Sequence, residues 1–277
     1  MAKLIFHLSL ATISASLTLL AAPALADIAT GQKAYDRHDY ATAMRELLPA
    51  AKAGNADAQF RVGFMYCQGT PNYAEAIKWF RLAAQKGHAN AQFDLGQMYS
   101  LGQGTPRNEE EAVKWYQSAA AQGFPDAQLH LGIAYEEGTG TVKNLEQAAN
   151  LYRLAATNPQ PWQGRPVAQF SLGAMYHEGN GVKKNLSEAA KWFELAADRG
   201  YPEAQFNIGW MYSSAEGVPE DLVRAYFWYS VAMKSAPVVS ELADKARKGR
   251  DALAKEMKLL QLSAAERMVK DWKPKTN

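Results

Sequence analysis

The feature that most constrains the fold of this chain is a string of residues that recurs along it. The dipeptide Ala-Gln begins at positions 58, 91, 127, 168 and 204, with spacings of 33, 36, 41 and 36 residues. A glycine follows five residues after each of these alanines, and a tyrosine three residues after the glycine. An aromatic pair, replaced by Leu-Tyr in the third copy, marks the second half of each unit. Such a period predicts a solenoid, in which each unit packs on its neighbours.

Each unit is predicted to form two helices. In the first, Ala, Leu and Tyr recur at helical spacing. Asn followed three residues later by Glu or Gln is typical of a capping box, which begins the second helix: the Asn side chain accepts from backbone N–H, and the acidic or amide side chain reaches back. This pattern occurs at Asn72, Asn108, Asn144 and Asn185. Gly87, Gly123 and Gly200 are predicted to end the second helix. The mid-helix glycines would let aromatic residues of one unit fill a groove on the next.

The pattern A-x-x-G-x-x-x-A-Q-x-x-L-G-x-x-Y-x-x-G-x-G, followed by A-x-x-W-[FY]-x-x-A-A-x-x-G, resembles the Sel1-like repeat, a relative of the tetratricopeptide repeat. Five copies lie between about Gly54 and Ser235. The resemblance implies an all-α fold, a right-handed α/α superhelical solenoid of helical hairpins with C-terminal capping helices.

The predicted organisation has three structural parts after a leader. A tetratricopeptide-like hairpin covers residues 27–54, five Sel1-like repeats cover 55–236, and a helical cap covers 237–277. The cap is predicted from its charge and from apolar residues on one helix face, because a solenoid needs an end with a polar outer side. Those apolar residues are Leu242, Ala246, Leu253, Met257 and Leu260.

Residues 1–26 carry the pattern of a secretory signal peptide. Lys3 is the only charge before Asp27, an apolar run follows it, and Ala24-Leu25-Ala26 forms an A-x-A cleavage site. The alternative is an uncleaved membrane anchor, for which the run is short and rich in hydroxyl groups. We therefore expect a periplasmic or secreted protein that does not span the membrane after cleavage. Cys67 is the only cysteine, so an intramolecular disulfide is impossible and stability must come from packing.

Charge and motifs argue against several classes of function. The net charge is +2, without the concentrated basic face that a nucleic-acid partner would need. The histidines are scattered over different units with no His-x-x-x-His pair, so no metal site is predicted. There is no G-x-S-x-G or S-x-x-K motif. We therefore predict no enzymatic activity, no catalytic residue and no cofactor.

Three positions in the first helix of each unit differ among the copies. They are spaced i, i+3, i+7, which places them on one helix face. This variable stripe consists of Arg61, Phe64 and Gln68; Asp94, Gln97 and Leu101; His130, Ile133 and Glu137; Ser171, Ala174 and Glu178; and Asn207, Trp210 and Ser214. The predicted partner-binding members are Arg61, Phe64, Gln97, Leu101, His130, Ile133, Glu137, Glu178 and Trp210. First helices line the concave surface of tetratricopeptide-like proteins, so the resemblance implies that the stripe faces a groove. The alternative is a solvated face without a ligand, but the stripe is more apolar than solvent requires.

An insertion at 157–166, between the third and fourth repeats, supplies two further candidates. Trp162 and Arg165 belong to residue types that often anchor interfaces, and insertions in repeat proteins often lie on a binding face. The alternative is that Trp162 fills a local gap in the stack.

The predicted function is an exported scaffold that binds a protein or peptide partner in its groove. The family resemblance implies roles in envelope signalling, polysaccharide handling or host interaction. The alternative is an envelope enzyme or a binder of a small ligand such as a β-lactam or a cell-wall glycan or peptide. Sel1-like proteins described as acting on β-lactams carry a disulfide in each repeat, so that precedent does not transfer to a chain with one cysteine. The sequence does not specify the partner or the oligomeric state.

Overall fold

The computed structural model describes residues 22–68, 71–237 and 240–275, and throughout these ranges the regular structure is helical. The first hairpin pairs α1 (Ala22–Asp36) with α2 (Tyr40–Lys52). The five repeats contain α3 (Ala56–Tyr66), α4 (Tyr73–Gln85), α5 (Ala89–Leu101), α6 (Glu109–Ala121), α7 (Pro125–Glu137), α8 (Leu145–Ala156), α9 (Arg165–Glu178), α10 (Leu186–Asp198), α11 (Pro202–Ser214) and α12 (Leu222–Ser235). The chain ends with α13 (Glu241–Glu256) and α14 (Leu259–Asp271). Of the predicted signal peptide, residues 1–21 lie outside the described part.

The helices stack as hairpins in chain order. From α1 to α12 each helix packs mainly against the helices before and after it in sequence, whereas α13 and α14 both pack on α12. The buried residues form a row of apolar clusters, each drawn from consecutive helices. This arrangement confirms the predicted all-α solenoid of helical hairpins. Among the described residues, no helix is both long and apolar enough to cross a bilayer.

The mid-helix glycines are slots for aromatic rings. A Cβ atom placed on Gly63, Gly96, Gly132 or Gly173 would lie only 2.6 to 2.8 Å from a ring carbon of the following helix. The rings belong to Phe80, Tyr116, Tyr152 and Phe193. Each slot and its ring lie in one hairpin, so the second aromatic of each pair fills the glycine slot of its own unit. The same rings also pack with residues of the next unit, as Phe80 does with Leu95 and Tyr116 with His130. The first aromatic, at Trp79, Trp115 or Trp192, packs against a cluster that includes residues of the preceding hairpin.

Of the two hydrogen bonds in each predicted capping box, the structure has the one accepted by the Asn side chain. The side chains of Asn72, Asn108, Asn144 and Asn185 accept from the backbone N–H three residues on, at 3.0 to 3.2 Å. The backbone N–H of each Asn, however, donates to the carbonyl of the tyrosine in the preceding helix, at 2.8 to 2.9 Å. The expected return bond is therefore replaced by a contact that fixes the hairpin turn. Gly87, Gly123 and Gly200 follow the second helices at φ of 81 to 89°, as predicted for glycine caps.

The recurrent glutamine joins one hairpin to the next. The side chains of Gln59, Gln92, Gln128 and Gln205 are buried. Their Nε2 atoms donate to the carbonyls of Ala51, Ala84, Ala120 and Ala197, at 3.0 to 3.4 Å. Each of these carbonyls lies at the end of the previous second helix. A buried hydrogen bond from the side-chain amide explains why the glutamine recurs with the alanine before it.

The C-terminal cap consists of two helices, and the predicted apolar residues do not all lie on one face. Ala246, Leu253 and Met257 are buried against the end of the stack, as predicted. Leu260 is 84% exposed, so its predicted place on the same face is wrong. The reason is the turn at Met257 and Lys258, after which α14 begins in a new direction. Beyond α14, Lys275 returns to the repeats, where its backbone N–H donates to the Asp198 carbonyl at 2.8 Å.

Candidate functional site

The variable stripe is accessible along the whole run of repeats. Each of its fifteen members is half-buried or exposed, whereas the recurrent Ala, Gln and Gly of the same helices are buried. The stripe therefore lies on the more accessible side of the first helices, with Phe64, Ile133 and Ala174 partly buried against the core clusters. Stripe residues line two depressions, one with stripe members of α9 and α11 and one with stripe members of α7 alone.

The larger of these two, the α9–α11 depression, has a volume of about 230 Å³. It is lined by Phe170, Ala174, His177 and Glu178 of α9, Phe193 of α10, and Asn207 and Trp210 of α11. Four of these residues, Ala174, Glu178, Asn207 and Trp210, belong to the variable stripe. Trp210 is 37% exposed, and the His177 ring meets its indole edge-on, with ring centroids 5.9 Å apart.

The α5–α7 depression has a volume of about 170 Å³ and lies two helices from the first. The stripe residues His130, Ile133 and Glu137 line it, together with Tyr116 of α6. The His130 imidazole is held by Nδ1, 2.9 Å from the Asp126 carbonyl oxygen, and packs against the Tyr116 ring at 5.5 Å. An ion pair between Arg107 and Glu109, at 2.6 Å, forms part of the same wall.

The remaining predicted residues lie outside these two depressions. The Arg61 guanidinium stacks 4.6 Å from the centroid of the Tyr35 ring, and Phe64 contacts the same ring edge-on at 5.7 Å. The α1–α2 hairpin thus occupies part of the stripe surface in the first repeat. Gln97 is half-buried on α5, whereas Leu101 at the end of that helix is exposed.

Burial changes the titration of two groups near the first repeats. It raises the pKa of Asp94 to about 7, with a further contribution from the nearby Asp126 carboxylate. The stripe acid is therefore partly protonated near neutral pH. Burial also raises the pKa of the Cys67 thiol to about 11, so the side chain is a thiol rather than a nucleophilic thiolate at that pH.

Trp162 and Arg165 hold the inserted loop. Both side chains are only 8% exposed. The Trp162 indole N–H donates to the Ala155 carbonyl at 3.2 Å, and Arg165 Nη2 donates to the carbonyls of Asn158, at 2.7 Å, and Gln160. The structure thus favours the packing alternative over an exposed anchor. Spacing along the sequence carries no signal for the direction in which a loop side chain points.

No assembly of ligating side chains accompanies these surfaces. Within the described ranges, no group of three or more His, Cys, Asp and Glu side chains is arranged to hold a metal ion.

A row of helical hairpins with a variable face defines a repeat scaffold. A model of the Sel1 repeat matches residues 56–88, 89–124, 125–159, 166–201 and 202–233. The chain belongs to the Sel1 repeat family. Proteins of this family are typically scaffolds without enzymatic activity and generally mediate protein–protein interactions.

Two solved structures show the same architecture. A protective antigen present in uropathogenic Escherichia coli strains, which displays an SLR fold, is 28% identical with a TM-score of 0.73, over 89% of this chain and 52% of that one. A Sel1 repeat protein from Oxalobacter formigenes is 32% identical with a TM-score of 0.69, over 82% of this chain and 96% of that one. The chain thus spans about half the length of the Escherichia coli antigen. No curated protein matches the chain.

Proposed function

We propose that this chain is an exported scaffold that binds a peptide segment or partner protein along its variable stripe. The observation that carries the proposal is that residues at positions where the repeats differ from one another help to line both depressions described above. Residues that build the stack are the same in most copies, so residues that differ are available for recognition. The export part of the proposal is supported by Lys3, the apolar run after it and the Ala24-Leu25-Ala26 site.

The size and spacing of the depressions favour a peptide over a small molecule. Pockets for small ligands have volumes of roughly 300–1,000 Å³. The two stripe depressions are smaller, at about 230 and 170 Å³, and each suits one side chain. Recognition of an extended segment uses a row of such side-chain sites.

The test is crosslinking of the tagged full-length protein in its own cells, followed by capture and identification of the partner. Trp210→Ala removes an exposed aromatic side chain from the stripe and is expected to lower recovery of the partner by about tenfold, as loss of an interface anchor does. Leu195→Ala is the matched control. That leucine is 40% exposed, close to the 37% of Trp210, but it lies on α10 outside the stripe.

Two outcomes would contradict the proposal. Equal recovery with both variants would mean that the stripe does not bind the partner. Recovery of no protein with crosslinkers of several lengths would indicate a glycan or small-molecule ligand instead. Ile133→Asp is a poorer test, because Ile133 packs against the core cluster of α7 to α9 and an aspartate there would lower stability.

A further inference from the structure

We propose that the α9–α11 depression receives an arginine side chain of the bound segment. This inference rests on the proposed function and assigns the chemistry of one of its contacts. Three features of the depression lead to it: an aromatic wall, carboxylates that no lysine or arginine of the described residues pairs with, and the ends of two helices.

The aromatic wall is held in one orientation. The His177 ring lies against the Trp210 indole at an angle of 69° between ring planes. Phe170, which lines the other side, packs on the Phe193 ring at 5.5 Å between centroids. A guanidinium group stacks on such a face through cation–π attraction, and tryptophan offers the strongest attraction of the aromatic residues.

Two carboxylates supply negative charge here: Glu178, which lines the depression, and Glu216, which lies beside His177. Glu178 lines the depression and is exposed, and its Oε2 accepts from the Asn180 side chain, at 2.5 Å. Glu216 Oε2 lies 3.7 Å from His177 Nε2. Within the described residues, neither glutamate forms an ion pair with a lysine or arginine. By contrast, Glu75, Glu111 and Glu188 each pair with a lysine one turn later, at 2.6 to 3.0 Å.

The helix ends add to the negative potential. Glu178 is the last residue of α9, and Trp210 lies just before the last turn of α11. The C-terminal end of a helix carries a partial negative charge, which favours a nearby cation. The α5–α7 depression differs here, because Arg107 already lines it and pairs with Glu109.

Arginine fits these features better than other side chains. Its guanidinium is planar, so one group can stack on the indole and donate to a carboxylate in the same plane. The lysine ammonium is a compact and strongly hydrated charge, which loses more hydration in an aromatic site. An apolar side chain would contact the walls but would leave the carboxylates without a counter-charge.

The experiment uses three pools of peptides that differ only at the central residue, with random residues on both sides. The centre is arginine, lysine or citrulline, which has nearly the shape of arginine without its charge. Each pool is passed over the immobilised protein at low salt, and the captured peptide is quantified. We expect the arginine pool to exceed the citrulline pool by at least about tenfold, and added salt to reduce this difference.

Protein variants identify the site of the difference. Glu178→Gln combined with Glu216→Gln is expected to remove the preference for arginine over citrulline. Glu203→Gln, which neutralises an exposed glutamate at the start of α11, is the matched control and should preserve it. Melting curves of all variants verify that the fold is intact.

The outcomes separate this inference from the proposed function. Equal capture of the three pools, lowered by Trp210→Ala but not by Leu195→Ala, would overturn the arginine assignment and leave the scaffold proposal standing. Capture of the lysine pool at the level of the arginine pool would also overturn it. If every pool is captured and Trp210→Ala does not change the amount, or if no pool is captured, both the arginine assignment and the scaffold proposal are contradicted.

Discussion

At the scale of single residues, the fit between glycine and aromatic ring is the contact on which each hairpin depends. Tyr152 is fully buried, and its hydroxyl donates to Glu136 Oε2 at 2.5 Å. The ring cannot move away easily, and a Cβ on Gly132 would lie 2.7 Å from it. The mid-helix glycine is therefore retained although alanine has the higher helix propensity.

The first prediction is that Gly132→Ala lowers the free energy of unfolding by roughly 2 kcal/mol. Overpacking of a rigid core costs up to about 3 kcal/mol, and alanine recovers about 1 kcal/mol through its helix propensity. Urea unfolding followed by circular dichroism measures the difference. Gly209→Ala is the matched control, because the nearest atom to its Cβ, on Tyr229, would lie 3.2 Å away. Equal losses in the two variants would mean that the ring contact does not set the cost.

The sequence predicted some of these single-residue contacts and missed others. The asparagine caps and glycine ends follow from local backbone chemistry, which the neighbouring residues determine. The bond from Gln205 to the Ala197 carbonyl crosses between hairpins, so no local pattern specifies it. The exposed indole of Trp210 was predicted from its variability among copies, whereas its contact with His177 depends on how α9 and α11 align.

At the scale of helices and loops, the inserted segment between α8 and α9 is a structural element in its own right. Its tryptophan is buried, and its arginine is bonded to carbonyls of the same loop. The loop therefore adds packing between two hairpins that are further apart in sequence than the others.

The second prediction concerns this loop. Trp162→Ala should lower the free energy of unfolding by about 3 kcal/mol, because it removes a large buried side chain and leaves a cavity. Thermal unfolding measures the loss, and Gln163→Ala, at the exposed neighbouring position, is the control. Reduced partner capture at unchanged stability would instead support Trp162 as an interface anchor.

The sequence predicted the repeat helices better than it predicted the cap. Each repeat carries a cap residue at the start of its second helix, and each of the first four has a glycine at a helix end, where the fifth has Ala215. The break between α13 and α14 has neither glycine nor proline, and Lys258 is the N-cap of the new helix. Apolar residues continue at helical spacing through the break, so the pattern indicated one helix face that included Leu260.

At the scale of the whole molecule, each hairpin is stabilised by its contacts with the adjacent hairpins. The core is a row of clusters, and the main contacts through the repeats join consecutive helices. A repeat array of this kind loses stability from its ends, where a unit has one neighbour instead of two. The fold class follows from the period of the sequence, whereas each depression combines residues from three helices and could not be read from any one copy.

The third prediction is that deletion of residues 238–277 destabilises one end of the molecule. The deletion removes α13 and α14 from α12, including the close packing of Gly249 on the Tyr229 ring, where a Cβ would lie 2.8 Å away. Hydrogen exchange with mass spectrometry should show protection falling strongly in α11 and α12 and little in α3 and α4. Leu260→Ser, a change at an exposed cap position, should leave the exchange pattern unaltered. A uniform loss of protection from α3 to α12 would instead mean that the stack unfolds as one cooperative unit. In that case a partner bound at the α9–α11 depression would stabilise the distant repeats as strongly as the near ones.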